Sequence, residues 1–131
     1  MSQLLEFVLC EGRHRHPAIY GLDFVYPNAF TTDVLGSGME VALEQFKKQA
    51  DGFILDVLTN HHFECQPLSI HLYVTGLTPA FAVFQDVMGC YNNEILTKDR
   101  LSNYLPVNVT YFFYDRDTEK YAAYESHWNG E

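Results

Sequence analysis

The chain has 131 residues, enough for one domain with a core of its own. Its 47% hydrophobic and 19% charged content excludes a disordered or fibrous chain. Eight basic residues against seventeen acidic ones give a net charge of −9, which argues against a protein that grips nucleic-acid phosphates with clustered Lys and Arg.

Leu4 to Cys10 is apolar apart from Glu6 and reads as a first strand. Glu11 to Pro17 is a polar loop holding Arg13, His14, Arg15 and His16. Ile19 to Tyr26, rich in aromatic and β-branched residues and stopped by Pro27-Asn28, reads as a second strand, an antiparallel partner for the first. Met39 to Ala50 has apolar residues at helical spacing, with Ser37 as N-cap and Glu40 completing a capping box. Phe53 to Leu58 fits a second helical segment better than a buried strand, because Asp56 suits a helix flank, and Gly52 weakens the join.

The C-terminal half is clearer. Leu68 to Thr75 is a strand, Gly76-Leu77 a turn, and Thr78-Pro79 supplies the residue types of an N-cap and a first helical position. A helix follows from Ala80 to Tyr91, ended by Asn92-Asn93. Val107 to Tyr114 and Lys120 to Ser126 are strands joined by an acidic turn as a hairpin. Strand, helix, strand in that order is a βαβ unit. With no repeat or linker along the chain, residues 1–131 read as a single α/β domain (α+β is the alternative): a small sandwich with a mixed, four- to five-stranded sheet.

Chemistry concentrates at few places. In the turn Thr75-Gly76-Leu77-Thr78, Gly76 would let a phosphate approach the backbone, Thr75 and Thr78 offer hydroxyls, and the following helix presents its positive end. The plainer reading is a capped helix after a glycine turn. The pattern resembles the strand, Thr-Gly, Thr, helix turn of CRISPR-associated Rossmann-fold (CARF) domains, which bind cyclic oligonucleotides. The resemblance covers about a dozen residues, and the chain lacks the second glycine and the lysine of that turn. His71 shares a strand face with Ser69, Tyr73 and Thr75; if the polar face of the later strand lies on the same side, Asn108 and Thr110 join it. His71 is thus the candidate acid–base catalyst, although no nucleophile motif accompanies it and a structural polar cluster explains it as well. His61, His62, Cys65 and His71 could in principle supply zinc ligands, but the adjacent His61 and His62 rarely point the same way in a regular element and Cys65 lacks a paired cysteine, so neither a metal nor a cofactor is expected.

Tyr121, Tyr124 and Trp128 sit in an aromatic C-terminal segment that serves equally as cover for the sheet or as a protein interface. The charge is evenly distributed: residues 1–52 carry seven acids and four bases, 53–105 five and two, and 106–131 five and two. That spread fits a solvated surface and leaves a DNA mimic open. No apolar run reaches the length of a membrane span, the N-terminus lacks a basic signal region, and Cys10, Cys65 and Cys90 form no paired motif. The expectation is a cytosolic homodimer that acts by binding a macromolecular partner, with binding favoured over catalysis; accessory or anti-defence proteins of phage and mobile elements have this compact acidic profile. The alternative is a nucleotide sensor or phosphodiesterase-type enzyme using the Thr75–Thr78 turn, with His71, or His14 and Arg15, handling phosphates.

Overall fold

In the strand Leu68–Val74 every second side chain is apolar, and Leu68, Ile70 and Leu72 are buried while Ser69, His71 and Tyr73 are only half-buried. This alternation fixes which side of the sheet receives helices. The computed structural model describes residues 3–10, 21–27, 38–75, 78–97 and 103–126. In chain order its elements are β1 (Gln3–Cys10), β2 (Asp23–Tyr26), α1 (Met39–His61), β3 (Leu68–Val74), α2 (Thr78–Thr97), β4 (Asn108–Asp115) and β5 (Lys120–Ser126). The strands form one five-stranded mixed sheet in the order β2-β1-β3-β4-β5. All neighbours are parallel except β4 and β5, which make the terminal hairpin.

The first two strands are therefore a parallel pair, against the antiparallel expectation. The connection 11–22 has the dozen residues that a parallel crossover needs. β2 is also shorter than the run beginning at Ile19; residues 19 and 20 lie outside the described residues.

Helix α1 runs unbroken through Gly52 and includes the whole segment Phe53 to Leu58. Ala42, Phe46, Ala50, Ile54 and Val57 form one buried stripe along it, and this continuous apolar contact outweighs the glycine. The helix starts after Gly38, which adopts φ 91° and caps without a side chain; Ser37 lies outside the described residues. Helix α2 begins at Thr78 itself and continues past Asn92-Asn93 to Thr97. Asn92 does not stop the helix because its amide has another task. Fully buried, it donates to the Val107 carbonyl at 3.0 Å and accepts the Val107 N–H at 2.8 Å. It thereby satisfies the backbone that leads into β4.

Both helices contribute to one core with Leu9, Leu68, Ile70, Leu72, Val109 and Tyr111, so they cover the same face of the sheet. Phe7 meets Phe53 edge-on at 4.7 Å, and Phe81 meets Tyr111 at 5.1 Å. Phe46 and Phe84 are fully buried, each contributing about 1.5–3 kcal/mol relative to exposure. No helix among the described residues is long and apolar enough to cross a membrane.

Replacing Asn92 by Ala removes both partners of Val107 at a fully buried position. Urea unfolding should show a loss of about 2–4 kcal/mol with native far-UV circular dichroism retained. A loss under about 0.5 kcal/mol would show that the contact does not hold β4 in place.

Candidate functional site

From β1 the chain moves to β2 on one side, and it later places β3 on the other side of β1. The direction of growth thus reverses between β1 and β3. In open parallel sheets such a reversal leaves a crevice at the carboxyl ends of the two strands, because their outgoing connections diverge to opposite faces. Here those ends are tied together. The hydroxyl of Thr75, directly after β3, donates to the Cys10 carbonyl at 2.7 Å and accepts the Cys10 N–H at 3.1 Å. Thr75 is buried, and its proton is committed to Cys10, so its part is to join the ends of β1 and β3. Gly76 and Leu77 lie outside the described residues, as do His14, Arg15 and Trp128.

The rest of this end is also fixed. Tyr26 closes β2, is fully buried, and donates its hydroxyl to the Ala80 carbonyl in the first turn of α2 at 3.0 Å. Its ring meets Phe46 at 5.2 Å. Burial, with Cys10 and Asp51 as smaller contributors, pushes the Tyr26 phenol well above its ordinary range, so it stays a neutral donor. Thr78 is exposed at the head of α2, and the first turn of that helix carries no acidic residue. Its positive end is therefore not offset by a side chain of its own first turn.

His71 belongs to a different surface. Register places Glu6, His71, Thr110 and Glu125 in one row across β1, β3, β4 and β5, on the face away from the helices. Ser69 and Asn108 stand beside it in the neighbouring row. Ser69, His71, Asn108, Thr110, Glu125 and Ser126 line a polar depression of about 290 Å³. The two polar strand faces therefore do lie on one side. Tyr73 departs from that group: it stacks on Phe112 at 4.8 Å and meets Tyr121 edge-on at 5.0 Å. Its hydroxyl donates to the Glu6 carboxylate at 3.4 Å, and its pKa is raised, by burial first and by Glu6 second. His71 packs against Phe112 at 5.0 Å. The carboxylates in this row oppose an anionic ligand.

Among the described residues no group of three or more His, Cys, Asp and Glu side chains is arranged to hold a metal. His62 shows why its cluster does not assemble. It is buried against Tyr91 and Tyr104, with Nε2 on the Leu105 carbonyl at 2.8 Å and Nδ1 on the Tyr91 hydroxyl at 2.8 Å. A carbonyl only accepts, so Nε2 carries the proton and Nδ1 accepts from Tyr91. Both nitrogens are used in joining α1, α2 and the approach to β4. Burial also pushes the Tyr91 phenol up to about 12, with Tyr104 and Glu94 adding to it.

A groove between the outer faces of the helices was not foreseen from the sequence. It encloses about 600 Å³ and is floored by Ile54, Leu58, Val87 and Tyr91, with Leu55 at its edge. Leu55 is 67% exposed, an apolar residue off the buried stripe of α1; that departure was the available signal. On the terminal hairpin, Tyr124 is 65% exposed while Tyr121 is half-buried among Tyr73 and Tyr114. No family model, curated protein or solved structure matches this chain.

Burial lowers the His62 pKa below 6.5, the Leu105 carbonyl partly offsetting it. The unfolded chain then binds more protons than the folded one below that value. Stability from His62 should be fully present above about pH 6.5 and fall as pH drops from there toward the lower folded pKa. In urea titrations the stability gap between the native chain and His62→Gln should be wider at about pH 7.5 than at about pH 5.5. A gap independent of pH would contradict this assignment.

Proposed function

We propose that this chain is a Rossmann-like binding domain for a small phosphate-bearing ligand of the nucleotide class, held in the crevice at the carboxyl ends of β1 and β3. The observation that carries the reading is the reversal of strand order at β1 and β3, with their ends locked by Thr75 on Cys10. Three further features support it. The head of α2, anchored by Tyr26, stands at the same end without an acid in its first turn. In an otherwise acidic chain, Arg13, His14, Arg15 and His16 occur together in the connection that leaves β1 there. The similarity of the Thr75–Thr78 turn to that of CARF domains adds cyclic oligonucleotides to the ligands that fit. In this reading binding is the activity, Thr75 joins the strand ends, and Gly76 and Thr78 border the ligand.

A second reading is supported by the hairpin: a homodimer that works through a protein partner, using the exposed Tyr124 and the aromatic rows around Tyr121. Either activity suits the cytosol, where the exposed thiols of Cys65 and Cys90 would stay reduced.

A thermal-shift panel of nucleoside phosphates, cyclic dinucleotides and cyclic oligoadenylates tests the ligand reading. A ligand at a hundred times its Kd adds about 2.7 kcal/mol, a rise in Tm of roughly 10 °C for a chain of this size. Thr78→Glu should keep or raise the Tm of the free protein, because an acid suits a helix start, yet abolish the ligand's shift by repulsion. A flat panel, or a shift unchanged in Thr78→Glu, would overturn the reading.

A further inference from the structure

The two edges of the sheet are built differently. β2 is a four-residue edge carrying the exposed Asp23, short and charged in the way that discourages pairing with another chain. β5 is a seven-residue edge with no proline, and its register against β4 runs without a bulge from Asp115↔Lys120 to Val109↔Ser126. Its middle, Tyr121-Ala122-Ala123-Tyr124, is uncharged, and Ala122, Ala123 and Tyr124 are all exposed. Among the described residues no strand pairs with its outer side. A seven-residue edge, unbroken by proline or bulge and uncharged at its middle, is a template for another strand.

We propose that the strand it takes is β5 of a second copy of this chain, paired antiparallel about a two-fold axis at Ala123. The inference rests on the reading of the hairpin as a homodimer interface and gives that interface its register. Centring on Ala123, the middle residue of β5, uses the whole strand. It sets Ala122 of one protomer opposite Tyr124 of the partner subunit, a small residue against a large one, twice. Tyr121 comes opposite Glu125 of the partner subunit, and Lys120 opposite Ser126 of the partner subunit, so no like charges meet. An axis normal to the sheet keeps the helices of both protomers on one side. On that side Phe113, 39% exposed, lies beside Ala122, and Tyr124 beside Tyr111. The exposed aromatic shelves of the two protomers thus join across the axis, which accounts for why Tyr124 is left uncovered within one chain.

The test combines sedimentation equilibrium with cysteine crosslinking of the full chain. In a Cys65→Ser, Cys90→Ser background, Ala123→Cys should oxidise to a disulfide-linked dimer. Residues facing across an antiparallel pair stand about 4.5–5.5 Å apart at Cα, within disulfide reach. Leu55→Cys, exposed on α1, should not crosslink under the same conditions. Ala123→Lys, at an exposed position, should keep the native circular dichroism and raise the dimer Kd by about tenfold or more. A dimer that survives Ala123→Lys, with no crosslink in the Ala123→Cys variant, overturns the edge pairing while leaving self-association through another surface. A chain that is monomeric up to about 100 μM, far above the Kd of a specific complex, overturns both.

Discussion

The parallel pairing of β1 with β3 is the contact around which the rest of this protein is arranged. The register Gln3↔Leu68, Leu5↔Ile70, Phe7↔Leu72 aligns the apolar side chains of the two strands on one face. Both helices then cover that face, with Phe53 of α1 on Phe7 and Phe46 of α1 on Tyr26. The same register places Glu6 beside His71 and Val8 beside Tyr73 on the other face. At the carboxyl end the pair is closed by a single hydroxyl, because Thr75 satisfies both backbone groups of Cys10.

This arrangement separates two chemically distinct surfaces. The face away from the helices carries the row Glu6, His71, Thr110, Glu125 and the stack of Tyr73 on Phe112. Its carboxylates make it a poor place for an anion, and the Tyr73 hydroxyl already engages Glu6. The carboxyl end of the sheet has the opposite character: a helix head without first-turn acids, fixed by Tyr26, and strand ends joined by Thr75. The proposed phosphate-bearing ligand would meet the positive dipole end of α2 there, with no acid in the first turn of that helix. His71 lies on the first surface, packed against Phe112.

The fold was largely legible because its strands and helices announce themselves locally. The βαβ unit, the terminal hairpin and the grouping of His71 with Asn108 and Thr110 all follow from alternation along Leu68–Val74 and Asn108–Asp115. What stayed hidden depends on distant partners. Nothing in the sequence near Cys10 says that β2 runs parallel to β1; the pairing register from Phe7↔Asp23 to Cys10↔Tyr26 shows it. Asn92-Asn93 reads as a helix stop, and it is the buried backbone of Val107 that turns Asn92 into a helix residue with a tertiary task. Thr75 reads as a free hydroxyl for a ligand, and the end of β1 claims it. In the same way His62 resembles a metal ligand until Tyr91 and Leu105 occupy both nitrogens.

Where the ligand sits is tested most directly by backbone amide shifts measured by NMR. With a nucleoside triphosphate and a cyclic oligoadenylate as probes, the largest changes should fall on Cys10, Thr75, Thr78, Ala80 and Phe81, at the carboxyl ends of β1 and β3 and the head of α2. Changes centred on Ser69, His71 and Thr110, or an unchanged spectrum with both probes, would contradict it.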